Sequence, residues 1–136
     1  MSIIVTDTGF GIDDWQGRIV PLAERPANDN ALAVDLGPET DPALLPELLT
    51  APLIRIAFPS FADGRGFTLA ALLRRAGYAG RLRAKGHVLA DQYAMARRAG
   101  FDEVEISETL AARQTEDQWL ARADWRARDY QARLRG

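Results

Sequence analysis

From Leu53 onward, apolar and polar positions alternate between a short strand rhythm and a longer helical one. The run LIRIAF, Leu53 to Phe58, is the strongest strand signal in the chain and is ended by Pro59. Leu69, Leu72, Leu73 and Ala76 then recur at three and four residues, which places them on one helix face, leaves Arg74 and Arg75 toward water and makes Gly77 the stop. GRLRA, Gly80 to Ala84, predicts a short strand. Val88 to Ala99 predicts a helix with Leu89, Tyr93 and Ala96 facing inward, and DEVEI predicts the next strand. Upstream, Ala31 to Leu36 is a candidate strand. Asp41 can cap the helical turns that follow, Pro42 suits their first position, and Pro46 limits their length.

The two ends read differently. Ile3 to Thr6 and Arg18 to Pro21 look extended and flank the turn-rich GFGIDDWQG, which predicts a small antiparallel hairpin joined to the main body by ERPANDN. The tail from Ser107 reads as helical. Thr115 and Gln118 form a capping-box pattern there, and Trp119, Ala123, Ala127, Tyr130 and Leu134 form an apolar stripe. Strands alternating with helices imply parallel pairing through right-handed crossovers. The expected fold is therefore α/β, one domain over 1–136, with a β arm (1–30), a βα core (31–106) and a C-terminal helical segment (107–136). The core is expected to hold a short, mainly parallel sheet of about four strands, half-barrel or flavodoxin-like, with flanking helices.

Composition narrows the chemistry more than the fold. The 136 residues suit one domain, and 47% apolar with 26% charged residues fit a globular one. The absence of cysteine removes disulfides, thiolate nucleophiles and Cys-ligated zinc or iron–sulfur clusters. A net charge of −2 disfavours a general nucleic-acid binder. MSIIVTDTGF lacks the features of a signal peptide and no apolar stretch is long enough to span a membrane, so a cytoplasmic protein is expected. All basic residues but Lys85 are arginines, whose planar forks can grip an oxyanion by two parallel hydrogen bonds.

Loops that follow parallel strands gather at one sheet edge, where ligands bind. Asp35–Asp41, Ser60–Gly66, Lys85–Val88 and Ser107–Thr109 should therefore meet. Within the DGRG turn, Gly64 and Gly66 permit close backbone approach, Arg65 offers a fork, and Ser60 a hydroxyl. With Asp63, Lys85 and Gln92 these residues make a candidate seat for sulfate, sulfite, nitrite or a phosphate ester. The same residues also read as a plain turn, with Asp63 capping it and Arg65 paired to Asp63 or Asp91. Asp91 and Gln92 read as groups that satisfy amides at a helix start or reach Arg65. GRGFTL lacks the third glycine of a dinucleotide loop, no Walker lysine motif exists, and no cofactor is indicated. His87, the only histidine, has Asp91 one helical turn away, which makes the pair a candidate acid–base unit or a capping device. No spacing suggests a metal. Trp125 lies off the tail stripe and would mark a partner surface if exposed.

Phe58 to Ile106 closely resembles the domain of unknown function 934 family of bacteria. The resemblance is carried by FPSF-x-DGRGF-x-LA-x-LLR, LRA-x-G-x-VL-x-DQ and GFD. It singles out Phe58 to Phe61, Asp63 to Phe67, Arg83, Gly86, Asp91 and Gln92, while His87 falls at a variable position. Many members are encoded beside sulfite or nitrite reductase genes, and some are described as oxidoreductases involved in sulfite reduction. The resemblance implies an accessory protein of sulfite assimilation that docks on a reductase or its electron donor and holds an oxyanion at DGRG. The alternative it implies is a small oxidoreductase or redox helper with a borrowed cofactor. Self-association stays open.

Overall fold

The computed structural model describes residues 2–26 and 32–126. Seven strands form one mixed sheet: β1 (Ser2–Thr6), β2 (Gly9–Ile12), β3 (Ile19–Pro21), β4 (Ala33–Leu36), β5 (Leu53–Phe58), β6 (Arg81–Gly86) and β7 (Glu103–Ser107). Their spatial order is β2-β1-β7-β6-β5-β4-β3. β3 to β7 are parallel and lie in chain order with no reversal between them, while β1 pairs antiparallel with both β7 and β2. The sheet is thus larger than the four strands read from the sequence.

Crossovers that all step in one direction place their helices on one face. That face carries α1 (Arg65–Arg75), α2 (Tyr93–Ala99) and a 3-10 segment at Pro42–Leu48, started by Asp41, whose carboxylate accepts from Ala43 N at 2.9 Å. Beneath them lie Val34, Leu36, Ile54, Ile56, Phe58, Leu82, Ala84, Val104 and Ile106, all buried. α3 (Glu108–Arg113) and α4 (Glu116–Leu120) complete the described chain, and Trp119 of α4 enters the same core edge-on to Tyr93.

The opposite face is charged. Parallel register aligns Asp35, Arg55, Arg83 and Glu103 across four neighbouring strands. Arg55 grips both oxygens of Asp35 at 2.6 and 2.7 Å and reaches Glu105 at 3.1 Å. Arg83 bonds Glu103 at 2.7 Å and Glu105 at 2.8 Å, and Arg81 adds a second fork on Glu103. Arg83 is wholly buried, with Glu103 and Glu105 nearly so. Burial alone would lower the Arg83 pKa, yet the hydrogen bonds it donates to Asp13 and Glu105 and the charges of Glu103 and Asp13 outweigh it and hold it raised.

A strap of residues 13–18 covers this face. It joins β2 at one sheet edge to β3 at the other. Six strand spacings would put the edges of a flat sheet about 29 Å apart, whereas the seven residue steps from Ile12 to Ile19 reach at most about 25 Å. The sheet therefore curls toward the strap, which anchors by Asp13 to Arg83 (3.1 and 3.2 Å) and by Asp14 to Arg81 (2.5 Å).

Several sequence expectations change here. Ile3–Thr6 and Arg18–Pro21 do not pair with each other, because β2 forms inside the supposed turn and takes the place beside β1. Arg74 is not left to solvent. It bonds the carbonyls of Tyr78, Gly80 and Gly100 and the carboxylate of Asp102. The Val88–Ala99 helix is shortened to a 3-10 turn at Ala90–Gln92 and α2. The tail forms two short helices, and Thr115 caps α4 without a side-chain bond. Ala127, Tyr130 and Leu134 of the stripe lie outside the described residues.

Candidate functional site

The C-terminal ends of the parallel strands form one rim, and the loops named from the sequence meet there. Phe61, Gly86, His87, Ser107, Thr109, Leu110 and Arg113 line a cleft of about 230 Å³ that draws on the loops after β5, β6 and β7. A second depression joins Asp35 to Gly37 with Phe58, Pro59, Lys85 and Gly86.

The DGRG turn folds onto itself. Asp63 accepts from Arg65 N at 3.1 Å and takes the Arg65 fork, Nε at 3.0 Å and the terminal nitrogen at 2.7 Å. Arg65 therefore holds the Asp63 carboxyl below its usual range, and Asp63 in turn raises Arg65. The guanidinium still stands 60% exposed. The two glycines have separate reasons. A Cβ on Gly66 would meet the Phe58 ring at 2.5 Å, so this glycine lets α1 close on the core; a Cβ on Gly64 would meet nothing within 4 Å.

The other candidates are spread around the rim. Ser60 is exposed, and its carbonyl accepts from Asp63 N at 3.2 Å. Gln92 bridges two loops, accepting from Leu89 N at 2.9 Å and donating to the Phe61 carbonyl at 3.0 Å, and so makes no bond to Arg65. Lys85 lies 4.0 Å from Glu105. His87 and Asp91 do not form a pair. Asp91 binds Arg122 at 2.9 Å, whereas His87 Nδ1 lies 3.2 Å from the Phe58 carbonyl and its ring meets Phe61 edge-on at 5.0 Å. A carbonyl only accepts, so Nδ1 is the donor in this contact.

The model of a family described as bacterial protein of unknown function (DUF934) matches residues 33–136. The chain belongs to that family. No curated protein and no solved structure matches it. The family match runs on past Ile106 and takes in the rim segment Ser107–Arg113, which the sequence resemblance did not cover.

Two features escaped sequence reading. The alternations RLR and EVE put Arg81 and Arg83, and Glu103 and Glu105, on one sheet face; the period-two signal was present, but its partners lie on strands twenty residues apart. Arg113 gave no signal, because an arginine in a helical tail reads as solvated surface. Among the described residues no group of three or more His, Cys, Asp or Glu could hold a metal, and no helix is long and apolar enough to cross a membrane.

Proposed function

We propose that this protein is a non-catalytic accessory factor of assimilatory sulfite reduction, which docks by its C-terminal rim on a reductase component and receives a small oxyanion there. The observation that carries the reading is Phe61. It stands 40% exposed on the rim, with the His87 ring edge-on to it at 5.0 Å and Gln92 donating to its carbonyl at 3.0 Å. A rigid aromatic anchor ordered before binding loses little entropy on association, and such side chains dominate docking energies. Arg113 lines the same cleft, exposed Arg65 and Lys85 lie in the neighbouring rim loops, and together they favour an acidic partner face. The resemblance of the FPSF-x-DGRGF motif supplies the sulfite setting.

Tagged full-length protein expressed in its own bacterium should bring down sulfite or nitrite reductase components, and Phe61→Ser should reduce their yield at least tenfold. Equal recovery by wild type and variant, or no reductase in either, would contradict the proposal. Stoichiometric flavin or haem in the purified chain would instead establish the redox-helper alternative.

A further inference from the structure

The rim cleft contains a cation that no carboxylate among the described residues neutralises. Arg55, Arg65, Arg81 and Arg83 each hold a carboxylate. Arg113 of α3 makes no hydrogen bond or ion pair among the described residues, although it lines the same cleft as three other polar side chains. Ser107 Oγ accepts from Leu110 N at 3.1 Å and keeps its own hydrogen to donate. Thr109 is exposed and its hydroxyl has no partner among the described residues. His87 spends Nδ1 on the Phe58 carbonyl, and its Nε2 has no partner among the described residues.

The remaining walls are apolar. The Phe61 ring and the Leu110 side chain line the cleft together with the donors, a few polar groups set in an apolar surface, which is the usual make-up of a small-molecule site. Its volume is about 230 Å³. A bare tetrahedral oxyanion, on the order of two to three waters in size at ~30 Å³ each, would leave most of it empty. The geometry points to a site for a small organic oxyanion: a sulfonate, carboxylate or phosphate head on a compact apolar body. Arg113 grips the head with its fork, the Ser107 and Thr109 hydroxyls donate to it, and Phe61 and Leu110 cover the body. The site rests on the reading of the rim as a recognition edge, and it moves the anion from Arg65, paired with Asp63, to Arg113, which has no partner among the described residues.

Calorimetric titration of the full chain with benzenesulfonate and with sodium sulfate tests this in wild type, Arg113→Gln and Arg65→Gln. Benzenesulfonate should bind wild type and Arg65→Gln alike, should bind Arg113→Gln at least tenfold more weakly, and should outbind sulfate. Arg113 is exposed and has no partner among the described residues, so its variant should keep the wild-type circular dichroism spectrum and melting temperature. The proposal is overturned by equal binding in Arg113→Gln, by loss confined to Arg65→Gln, by sulfate binding as tightly as benzenesulfonate, or by no binding at all. Reductase recovery is read independently. Anion binding without reductase defeats only the docking proposal, and docking without anion binding defeats this site together with the oxyanion half of the proposed function while leaving the docking half standing.

Discussion

Arg83 shows how much one side chain can carry. It sits at zero exposure between Glu103 and Glu105 and also receives Asp13 from the strap. Replacing it with methionine keeps an apolar body but leaves Glu103 with Arg81 alone and Glu105 with Arg55 as its nearest arginine, a loss that should approach the lower end of the about 3–5 kcal/mol seen when a buried pair is broken outright. Urea denaturation of Arg83→Met should show that loss, whereas Arg75→Ala, on the exposed side of α1, should stay within about 0.5 kcal/mol. The sequence treated most arginines alike, as solvated helix faces or possible forks. What separates Arg83, Arg74 and Arg113 is what each meets across the fold: carboxylates for Arg83, three carbonyls and the Asp102 carboxylate for Arg74, and for Arg113 no partner among the described residues. Local spacing contains none of that.

At the scale of elements, the turn into α1 separates packing from recognition. Gly66→Ala would drive a methyl into the rigid Phe58 ring, which itself packs on Phe67 and Phe101 at 4.9 and 5.8 Å between centroids. That overpacking should cost about 1–3 kcal/mol. Gly64 has φ −91° and open space above it, so Gly64→Ala should be neutral or gain up to about 1 kcal/mol by restricting the unfolded chain. Thermal melts of the two variants check this. Reversed effects would show that the turn is built otherwise. If Gly64→Ala melts normally but loses reductase binding, the bare backbone there is a contact surface. The core elements were legible because LIRIAF and the Leu69–Leu73 stripe carry strong periodicity into strand and helix alike. The N-terminal arm was not. GFGI reads as turn residues, yet it becomes β2 because β1 offers it a partner edge and Glu116 accepts from Phe10 N at 2.8 Å on its outer side.

The whole molecule is a curled sheet with one apolar face under helices and one charged face under a strap, and the strap should answer to acid. Burial alone would raise the Asp13 pKa, but the Trp15 amide and Arg83 outweigh it, and Arg81 lowers Asp14 directly; both carboxyls stay below their ordinary 3.8. Depressed folded values mean that their stabilisation is whole above pH 3.8 and is lost as pH falls through the folded values beneath it. Tryptophan fluorescence, with Trp15 in the strap as reporter, should change in that acid range before the core unfolds, and Asp13→Asn with Asp14→Asn should remove the early step. A single transition in both proteins would deny the strap its carboxylate anchors. The rim itself was legible as a place, since loops after parallel strands must gather, and the pairing of Arg65 with Asp63 was one of the readings of its turn; the His87–Asp91 unit was not borne out, because Asp91 turned to Arg122. Amide chemical-shift mapping of the isotopically labelled chain against a purified sulfite reductase component tests the central claim most directly. Shifts confined to 59–66, 86–92 and 107–113 would agree with docking at the rim, whereas shifts centred on the strap or the β2 edge, or none at saturating partner, would contradict it.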